Sequence, residues 1–269
     1  MSPPESVWRT YDAIETRLTS AVSERMLDLS QLSPGMRVID VACGRGEPAI
    51  GAAKRVSPNG SVLGIDLSQA VLTMAQERAN AEQVSNASFR TLNAESLVGL
   101  PDSSFDAATS RWGLMYVQSP PRALAELRRV LRRGAPLVLA VWSEPERVPW
   151  ASLPRKAMGR FCEMTPIGAD APGACRYADM SRLERDLRDA SFEIEHVEEM
   201  TTSVIEAPTP EGILRWIHDL GFSRLASHLS EAQTLAWEKD LLLQLEAHRA
   251  GDTVRLGGVT RLVVARSRP

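Results

Sequence analysis

Short apolar runs rich in β-branched residues alternate with amphipathic stretches in the first half of the chain. The apolar runs predict buried strands, and the amphipathic stretches between them predict helices. The predicted strands cover residues 36–42, 61–66, 87–92, 105–110 and 136–142. Because single helices separate most of these strands, we expect a parallel sheet with right-handed crossovers. Ligands of such sheets bind beyond the carboxyl ends of the strands.

The pattern changes after residue 142. Residues 146–175 contain several prolines and large apolar side chains, and they predict a helical insertion. Ser181 with Glu184 fits a capping box and predicts a helix to about residue 190, followed by a strand over 192–200. Residues 209–248 predict two helices, of which the second begins at a Ser230–Gln233 capping box. Residues 253–265 predict a last strand.

We expect all 269 residues to form one α/β domain with a doubly wound, Rossmann-like sheet. The core of this domain would comprise residues of about 30–142, 179–200 and 251–267. Helical segments would cover the sheet as a lid, over about 1–29, 146–178 and 208–248.

Composition narrows the class of protein. Hydrophobic residues make up 43% and charged residues 24%, which is typical of a globular chain, and the net charge of −3 favours no nucleic-acid partner. No apolar run reaches the roughly 18 residues of a membrane span, and the N-terminal residues lack the pattern of a secretory signal. The three cysteines form no C-x-x-C pair, so we expect a cytoplasmic protein without a metal site. A homodimer is left open.

One glycine-rich loop carries the candidate chemistry. Gly44 and Gly46 follow the first strand, and they allow a ligand to approach the backbone at the start of a helix. Asp66 ends the second strand, 66 − 44 = 22 residues after Gly44. A carboxylate there can accept hydrogen bonds from both ribose hydroxyls. The spacing therefore predicts an adenosine-type cofactor over the first two strands.

The glycines alone also fit the dinucleotide fingerprint, so an NAD(P)-dependent oxidoreductase is an alternative. Asp40 argues against it, because a carboxylate at the strand end opposes a pyrophosphate but suits the ammonium group of a methionine. The polar run Asn93–Glu95 after the third strand can read an adenine edge, and the long last strand suits an antiparallel sheet edge. These features favour S-adenosylmethionine (SAM).

Five segments together resemble the class I SAM-dependent methyltransferases, of the ubiquinone/menaquinone-biosynthesis, small-molecule branch. The segments read VIDVACGRGEPAI, GIDLS, LNAESL, FDAATSRWGLMYV and ELRRVLRRGAPLVLAVW. The resemblance covers residues of about 36–142 in detail. It implies a seven-stranded sheet of order 3-2-1-4-5-7-6 with the last strand antiparallel. Ala42 stands where the family has a glycine, and Asn93 stands where it has an acidic residue.

The resemblance also assigns cofactor contacts by position. The methionine end would lie at Asp40 and the loop backbone, the ribose at Asp66, and adenine between Leu67 and the run Asn93–Glu95. The complete set of predicted cofactor residues is Asp40, Ala42, Gly44, Arg45, Gly46, Asp66, Leu67, Asn93, Ala94, Glu95 and Arg111.

The implied activity is methyl transfer to a small, fairly apolar acceptor through oxygen, nitrogen or carbon, mainly by placement of the acceptor in line with the methyl group. Relatives often carry a histidine after the fourth strand, whereas residues 112–117 contain none. Candidate bases are Tyr116, His218 and His228, and a catalytically silent SAM-binding protein is a further alternative. Six large side chains line an acceptor pocket or belong to the core: Tyr11, Trp112, Met115, Trp142, Trp150 and Trp216.

Overall fold

The computed structural model describes residues 4–166, 168, 170–222 and 229–267. Within these ranges, eight strands form one sheet. The strands in chain order are β1 (Arg37–Val41), β2 (Ser61–Asp66), β3 (Ala87–Thr91), β4 (Ala107–Arg111), β5 (Pro136–Trp142), β6 (Phe192–Ala207), β7 (Arg249–Ala250) and β8 (Thr253–Ser267).

The strand order is β3-β2-β1-β4-β5-β8-β6, with the two-residue β7 paired to β8. All pairings from β3 to β5 are parallel, and β8 runs antiparallel to β5. The predicted α/β fold and the order 3-2-1-4-5-7-6 are therefore confirmed. The observed count is one higher because β7 precedes the last strand, which becomes the eighth in the chain.

Eight α-helices are present in the described ranges. They are α1 (Glu5–Leu29), α2 (Ala49–Val56), α3 (Gln69–Ala81), α4 (Pro120–Val130), α5 (Pro149–Met158), α6 (Met180–Asp189), α7 (Pro210–Ile217) and α8 (Glu231–Glu246). Two short 3₁₀ turns cover Leu114–Tyr116 and Pro145–Arg147, and a π-helix covers His218–Phe222 directly after α7.

The two predicted capping boxes have different outcomes. The Ser230–Gln233 box is confirmed, with both reciprocal hydrogen bonds formed at the start of α8. The Ser181–Glu184 box is wrong, because the cap of α6 is Asp179, two residues before Ser181, and the helix begins at Met180. The side chain of Asp179 accepts a hydrogen bond from the Ser181 backbone N–H at 2.9 Å, so Ser181 lies inside the first turn.

The chain packs as two compact units. The sheet unit comprises Ser20–Ser143, Asp170–Met200 and Thr260–Pro269. The helical unit comprises Met1–Thr19, Glu144–Ala169 and Thr201–Val259. The predicted cover segments 1–29 and 146–178 are each divided between the two units. The single-domain organisation and the lid remain predictions.

In the sheet unit, every residue of β5 is buried, as expected for a strand covered on both faces. One apolar cluster joins α1 to β5 and β8 through Val22, Met26, Val138 and Leu262. A second cluster joins α1, α2 and α3 to the strands from β1 to β3, and it includes Ile50. These two clusters fix the strands of the sheet against helices α1, α2 and α3. The loops at the carboxyl ends of the strands carry polar groups.

The helical unit is built around two tryptophans. Trp216 and Trp237 are almost completely buried. The indole N–H of Trp237 donates to the Pro154 carbonyl at 3.1 Å, and that of Trp216 donates to the Glu15 carboxylate at 2.9 Å. Each buried indole therefore has the hydrogen-bond partner that its burial requires.

Candidate cofactor-binding site

The glycine loop follows β1, and its two glycines have different surroundings. Gly46 has φ +95°, and a Cβ there would lie 2.7 Å from Cδ1 of Ile50 and 3.3 Å from Cβ of Ala75. The loop therefore packs against α2 and α3 only because Gly46 has no side chain. Gly44 has φ +52°, and a Cβ there would meet no atom within 4 Å. Gly44 thus leaves space for a ligand beside the backbone.

Asp66 joins the glycine loop to the turn after β2. Its Oδ2 accepts a hydrogen bond from the Gly44 backbone N–H at 3.0 Å, and its Oδ1 accepts one from the Ser68 backbone N–H at 3.0 Å. A carboxylate has about four acceptor positions. The half-buried carboxylate therefore retains capacity for hydroxyl groups of a ligand.

Asp40 lies on β1 with no exposed surface. Its Oδ1 accepts a hydrogen bond from the Thr109 hydroxyl at 2.7 Å, and its Oδ2 accepts one from the Ala49 backbone N–H at 3.1 Å. Burial raises the pKa of Asp40 to about 7, although the Thr109 hydrogen bond acts in the opposite direction. In this structure Asp40 therefore ties β1 to β4 and to the first residue of α2.

Ala42 adopts a left-handed backbone conformation, with φ +56°. This conformation costs an L-residue roughly 1–2 kcal/mol and is free of that cost for glycine. The glycine that the resembled family has at this position would avoid this cost. Ala42, with the smallest side chain after glycine, adopts the same left-handed conformation at that cost.

The loop after β3 holds the predicted adenine contacts. Asn93 is exposed, and its side-chain oxygen accepts a hydrogen bond from the Glu95 backbone N–H at 2.9 Å. Oε1 of Glu95 in turn accepts one from the Gln118 backbone N–H at 2.7 Å. Ala94 is buried, whereas Leu67, after β2, is 70% exposed. Leu67 is thus an apolar surface next to the Asp66 carboxylate.

Arg111 ends β4, and its guanidinium donates to the Ser23 hydroxyl at 2.8 Å. It also lies 5.1 Å from the ring centroid of Trp112, which stacks on Trp142 at 4.5 Å. The Trp112 indole N–H donates to the Thr260 hydroxyl at 2.9 Å. At the ends of β4 and β5, the guanidinium therefore lies beside the Trp112 ring, and that ring stacks on Trp142. Arg45, in the glycine loop, is half-buried.

The six candidate acceptor residues are distributed over both units. Trp112, Met115 and Trp142 belong to the sheet unit, and Tyr11, Trp150 and Trp216 belong to the helical unit. Met115, Trp142 and Trp216 lie in the core, whereas the other three are half-buried. The hydroxyl of Tyr11 donates to Asp219 at 2.6 Å. Contact with an acceptor remains a prediction for all six.

The candidate bases have contrasting surroundings. Tyr116 is 48% exposed, so it is not part of the core. His218 begins the π-helix in the helical unit, with its Nε2 3.0 Å from Oε1 of Glu238. His228 lies outside the described residues. Their catalytic roles remain predictions.

Two polar partners in the sheet unit were missed from the sequence. Thr109 bonds Asp40, and Ser23 bonds Arg111. Thr109 is paired with Asp40 in the β1–β4 register, so the predicted adjacency of these strands is a signal that could have found it. Ser23 lies on α1, and no sequence pattern links it to β4.

In the part of the chain that the structure describes, no group of three or more His, Cys, Asp or Glu side chains is placed to hold a metal ion. None of the helices described above combines the length and the hydropathy that a membrane span requires.

The chain is similar to known methyltransferases in sequence and in fold. A family model described as "Methyltransferase domain" matches residues 39–139. Demethylmenaquinone methyltransferase of Symbiobacterium thermophilum is 29% identical over 52% of this chain and 58% of its own length. Nocamycin O-methyltransferase of Saccharothrix syringae is 27% identical over 96% of this chain and 95% of its own.

A solved structure supports the fold. The crystal structure of a SAM-dependent methyltransferase from Aquifex aeolicus matches with a TM-score of 0.54 and 21% identity, over 71% of this chain and 89% of the other. The match to the demethylmenaquinone enzyme spans little more than half of that protein, whereas the match to the nocamycin enzyme runs almost from end to end.

Proposed function

We propose that the chain is a class I SAM-dependent methyltransferase of the small-molecule branch, with SAM as its cofactor, and that it methylates a small, fairly apolar acceptor. Nothing in the comparisons supports the oxidoreductase alternative. The observation that carries the proposal is the Gly44–Asp66 hydrogen bond at the carboxyl ends of β1 and β2. It places a carboxylate with remaining acceptor capacity beside a glycine that leaves open space.

The residues around this hydrogen bond fit an adenosyl group. We assign the ribose hydroxyls to Asp66, because each of its two oxygens accepts one protein hydrogen bond and keeps further acceptor capacity. We assign one face of adenine to Leu67, whose exposed apolar side chain follows Asp66 directly. Asn93 and Ala94 would border the base edge.

We assign the methionine end of the cofactor to the glycine loop after β1 and to the carboxyl end of β4. The backbone of Ala42 and Gly44 would face it, with Arg45 and Arg111 as the nearby cations. Asp40 is completely buried and both of its oxygens accept protein hydrogen bonds. We therefore assign Asp40 to holding the start of α2 beneath the glycine loop, which gives it an indirect role in cofactor binding.

When bound, the cofactor supplies an electrophilic methyl group on a sulfonium. The chain's own task is to orient the acceptor atom in line with that group and to exclude water, which together supply most of the rate enhancement. A general base is needed only where the acceptor must lose a proton. Tyr116 and His218 stay the candidates for that step.

The acceptor class follows from the relatives and from the composition of the candidate side chains. The names of two relatives specify a demethylmenaquinone and nocamycin as methylated molecules. Trp112, in the sheet unit, carries a half-buried apolar ring. An acceptor of the quinone or polyketide kind matches such a side chain better than a highly charged metabolite.

Calorimetric titration tests the cofactor assignment. S-adenosylhomocysteine (SAH) should bind the wild-type chain tightly and NADH should not. Asp66→Ala should weaken SAH binding by about 1–3 kcal/mol, because it removes hydrogen bonds to a partly buried diol. Asp102→Ala, which removes an exposed carboxylate paired with Arg129, is the matched control and should leave the affinity unchanged. Equal affinity of Asp66→Ala and wild type would refute the ribose assignment.

Turnover tests the reaction. Radiolabelled SAM should transfer its methyl group to at least one member of a panel of phenols, amines and quinol-like carbons. Binding of SAH without transfer to any member of the panel would count against the proposed acceptor class.

A further inference from the structure

One peptide group, directly after the 3₁₀ turn Leu114–Tyr116, is hydrogen-bonded at both ends by charged side chains. The peptide joins Val117 to Gln118. Its N–H donates to Oε1 of Glu95 at 2.7 Å, and its carbonyl accepts a hydrogen bond from Nη1 of Arg176. The carbonyl and the N–H of a trans peptide point in opposite directions. Glu95 and Arg176 therefore grip the same peptide from opposite sides.

The charges match the polarity of the peptide. An anionic carboxylate faces the N–H, and a cationic guanidinium faces the carbonyl oxygen. Hydrogen bonds with one ionised partner are roughly twice as strong as neutral ones. Arg176 is only 5% exposed, so water screens its bond weakly.

Arg176 is itself fixed by its own segment. Its Nη2 donates to the Asp170 carbonyl at 2.7 Å, and the Gly173 backbone N–H donates to the Met115 carbonyl at 3.0 Å. The end of this segment is fixed as well, because Arg261 donates to the Ala178 carbonyl at 2.7 Å. Residues 170–178 are thus a firm support for one side of the peptide.

Glu95 belongs to the loop assigned to the adenine edge. The same loop is braced by the hydrogen bond from the Glu95 N–H to the Asn93 side chain. The gripped peptide directly follows Tyr116, and the segment 112–118 carries three of the candidate acceptor or catalytic residues. Glu95 therefore connects a cofactor loop to an acceptor segment within the sheet unit.

We propose that Glu95 and Arg176 act as a two-sided clamp on the Val117–Gln118 peptide, and that the clamp transmits cofactor binding to the acceptor-facing segment 112–118. The proposal rests on the proposed function for the identity of the cofactor. Both are positioning residues: Glu95 orders the segment from the cofactor side, and Arg176 orders it from the 170–178 side. The acceptor side chains are then aligned when the adenine loop is occupied.

Hydrogen exchange of the backbone amides, read by mass spectrometry on peptides covering 112–118, tests the clamp without any cofactor. In Glu95→Ala and in Arg176→Met, exchange of this segment should accelerate about tenfold, the factor expected for loss of one charge-assisted hydrogen bond. Glu95→Gln and Arg176→Lys keep an acceptor and a donor, so their exchange should lie closer to wild type. Exchange in helix α2 should not change, which separates the effect from global destabilisation.

Arg55→Met is the matched control. Arg55 also makes two charge-assisted bonds, to Glu24 and Asp28, but neither involves the segment. This variant should exchange like wild type over 112–118. Unchanged exchange of the segment in both Glu95→Ala and Arg176→Met would overturn the clamp.

Addition of SAH tests the coupling. In wild type, SAH should slow exchange over 112–118, and this protection should fall to less than about twofold in Glu95→Ala and Arg176→Met. Calorimetric Kd values for SAH in Arg176→Met should stay within about threefold of wild type, since the side-chain hydrogen bonds of Arg176 go to Val117 and Asp170 and not to the cofactor loop. Full SAH protection in both variants would overturn the coupling. Failure of SAH to bind wild type would instead refute the cofactor assignment, while the exchange without cofactor still decides the clamp.

Discussion

Two sets of hydrogen bonds, one in each unit, span very different distances along the chain. In the sheet unit, Asp66 accepts from Ser68 and from Gly44, which lie 2 and 22 residues away. In the helical unit, Trp216 donates to Glu15 across 201 residues, and Tyr11 donates to Asp219 across 208. The Asp66 contacts of the candidate cofactor site are therefore encoded over short stretches of sequence, whereas these two aromatic contacts of the helical unit depend on long-range packing.

Substitutions should therefore act differently in the two sets of contacts. A local site depends on backbone conformation and on groups within one or two loops, so a single methyl group can disrupt it. A long-range network depends on each buried polar group keeping its partner, so it should respond to loss of a hydrogen-bond acceptor. Three sets of substitutions test this contrast, with expected losses of unfolding free energy that decrease from the first to the third.

The largest effect is expected at Gly46. Gly46→Ala forces a Cβ to 2.7 Å from Ile50 at a φ of +95°. We expect it to lower the free energy of unfolding by about 2–4 kcal/mol through steric overlap and backbone strain. Urea denaturation followed by circular dichroism measures this loss.

Gly44→Ala is the matched control, because its Cβ would meet no protein atom within 4 Å. It should cost only about 1 kcal/mol of stability, from its left-handed backbone. Its affinity for SAH should fall instead, because the new methyl group enters the space left for the ligand. Equal destabilisation by the two substitutions would show that the glycines do not have the separate roles described here.

The second effect concerns Asp40 and pH. Its pKa is raised to about 7 in the folded chain, against roughly 3.9 when unfolded. The folded state therefore binds more protons between pH 4 and 7, and this group's contribution to stability declines as the pH rises through that window. Between pH 5 and 8 the wild type should lose about 2–3 kcal/mol through Asp40.

Asp40→Asn removes the titration, and an amide can accept from the Ala49 N–H while donating to the Thr109 hydroxyl. Its unfolding free energy should therefore decline less between pH 5 and 8 than that of wild type, as measured by denaturation at each pH. Asp102→Asn, at an exposed carboxylate, should follow the wild-type profile. Parallel profiles for Asp40→Asn and wild type would contradict the protonation described for Asp40.

The smallest effect is expected in the helical unit. Glu15→Ala leaves the buried Trp216 indole N–H without the acceptor it now has, at a cost of about 1–3 kcal/mol. Glu15→Gln keeps a carbonyl oxygen and should cost less than about 1 kcal/mol. Thermal unfolding, with tryptophan fluorescence as a second signal, separates the two variants. Equal losses would mean that the long-range hydrogen bond does not stabilise this unit.

Sequence patterns predicted most of the sheet and the nearness of Gly44 to Asp66, whereas cofactor contact at these residues stays a prediction. Strand β5 and the Gly44–Asp66 spacing were predictable because they depend on local hydrophobicity and on one loop. The contacts made by Thr109, Ser23 and Arg176 depend on which segments meet in three dimensions. The start of α6 was mispredicted because Asp179 and Ser181, two residues apart, are both suitable N-cap residues. The sequence alone does not show which of them caps the helix.

We propose that a SAM-type nucleoside lies over the ends of β1 and β2 with its ribose on Asp66. A crystal structure of the chain with SAH is the direct test. Both ribose hydroxyls should lie within about 2.6–3.2 Å of the Asp66 carboxylate, with adenine against Leu67. A nucleoside bound elsewhere, or an Asp66 carboxylate that contacts only Gly44 and Ser68 in the complex, would contradict it.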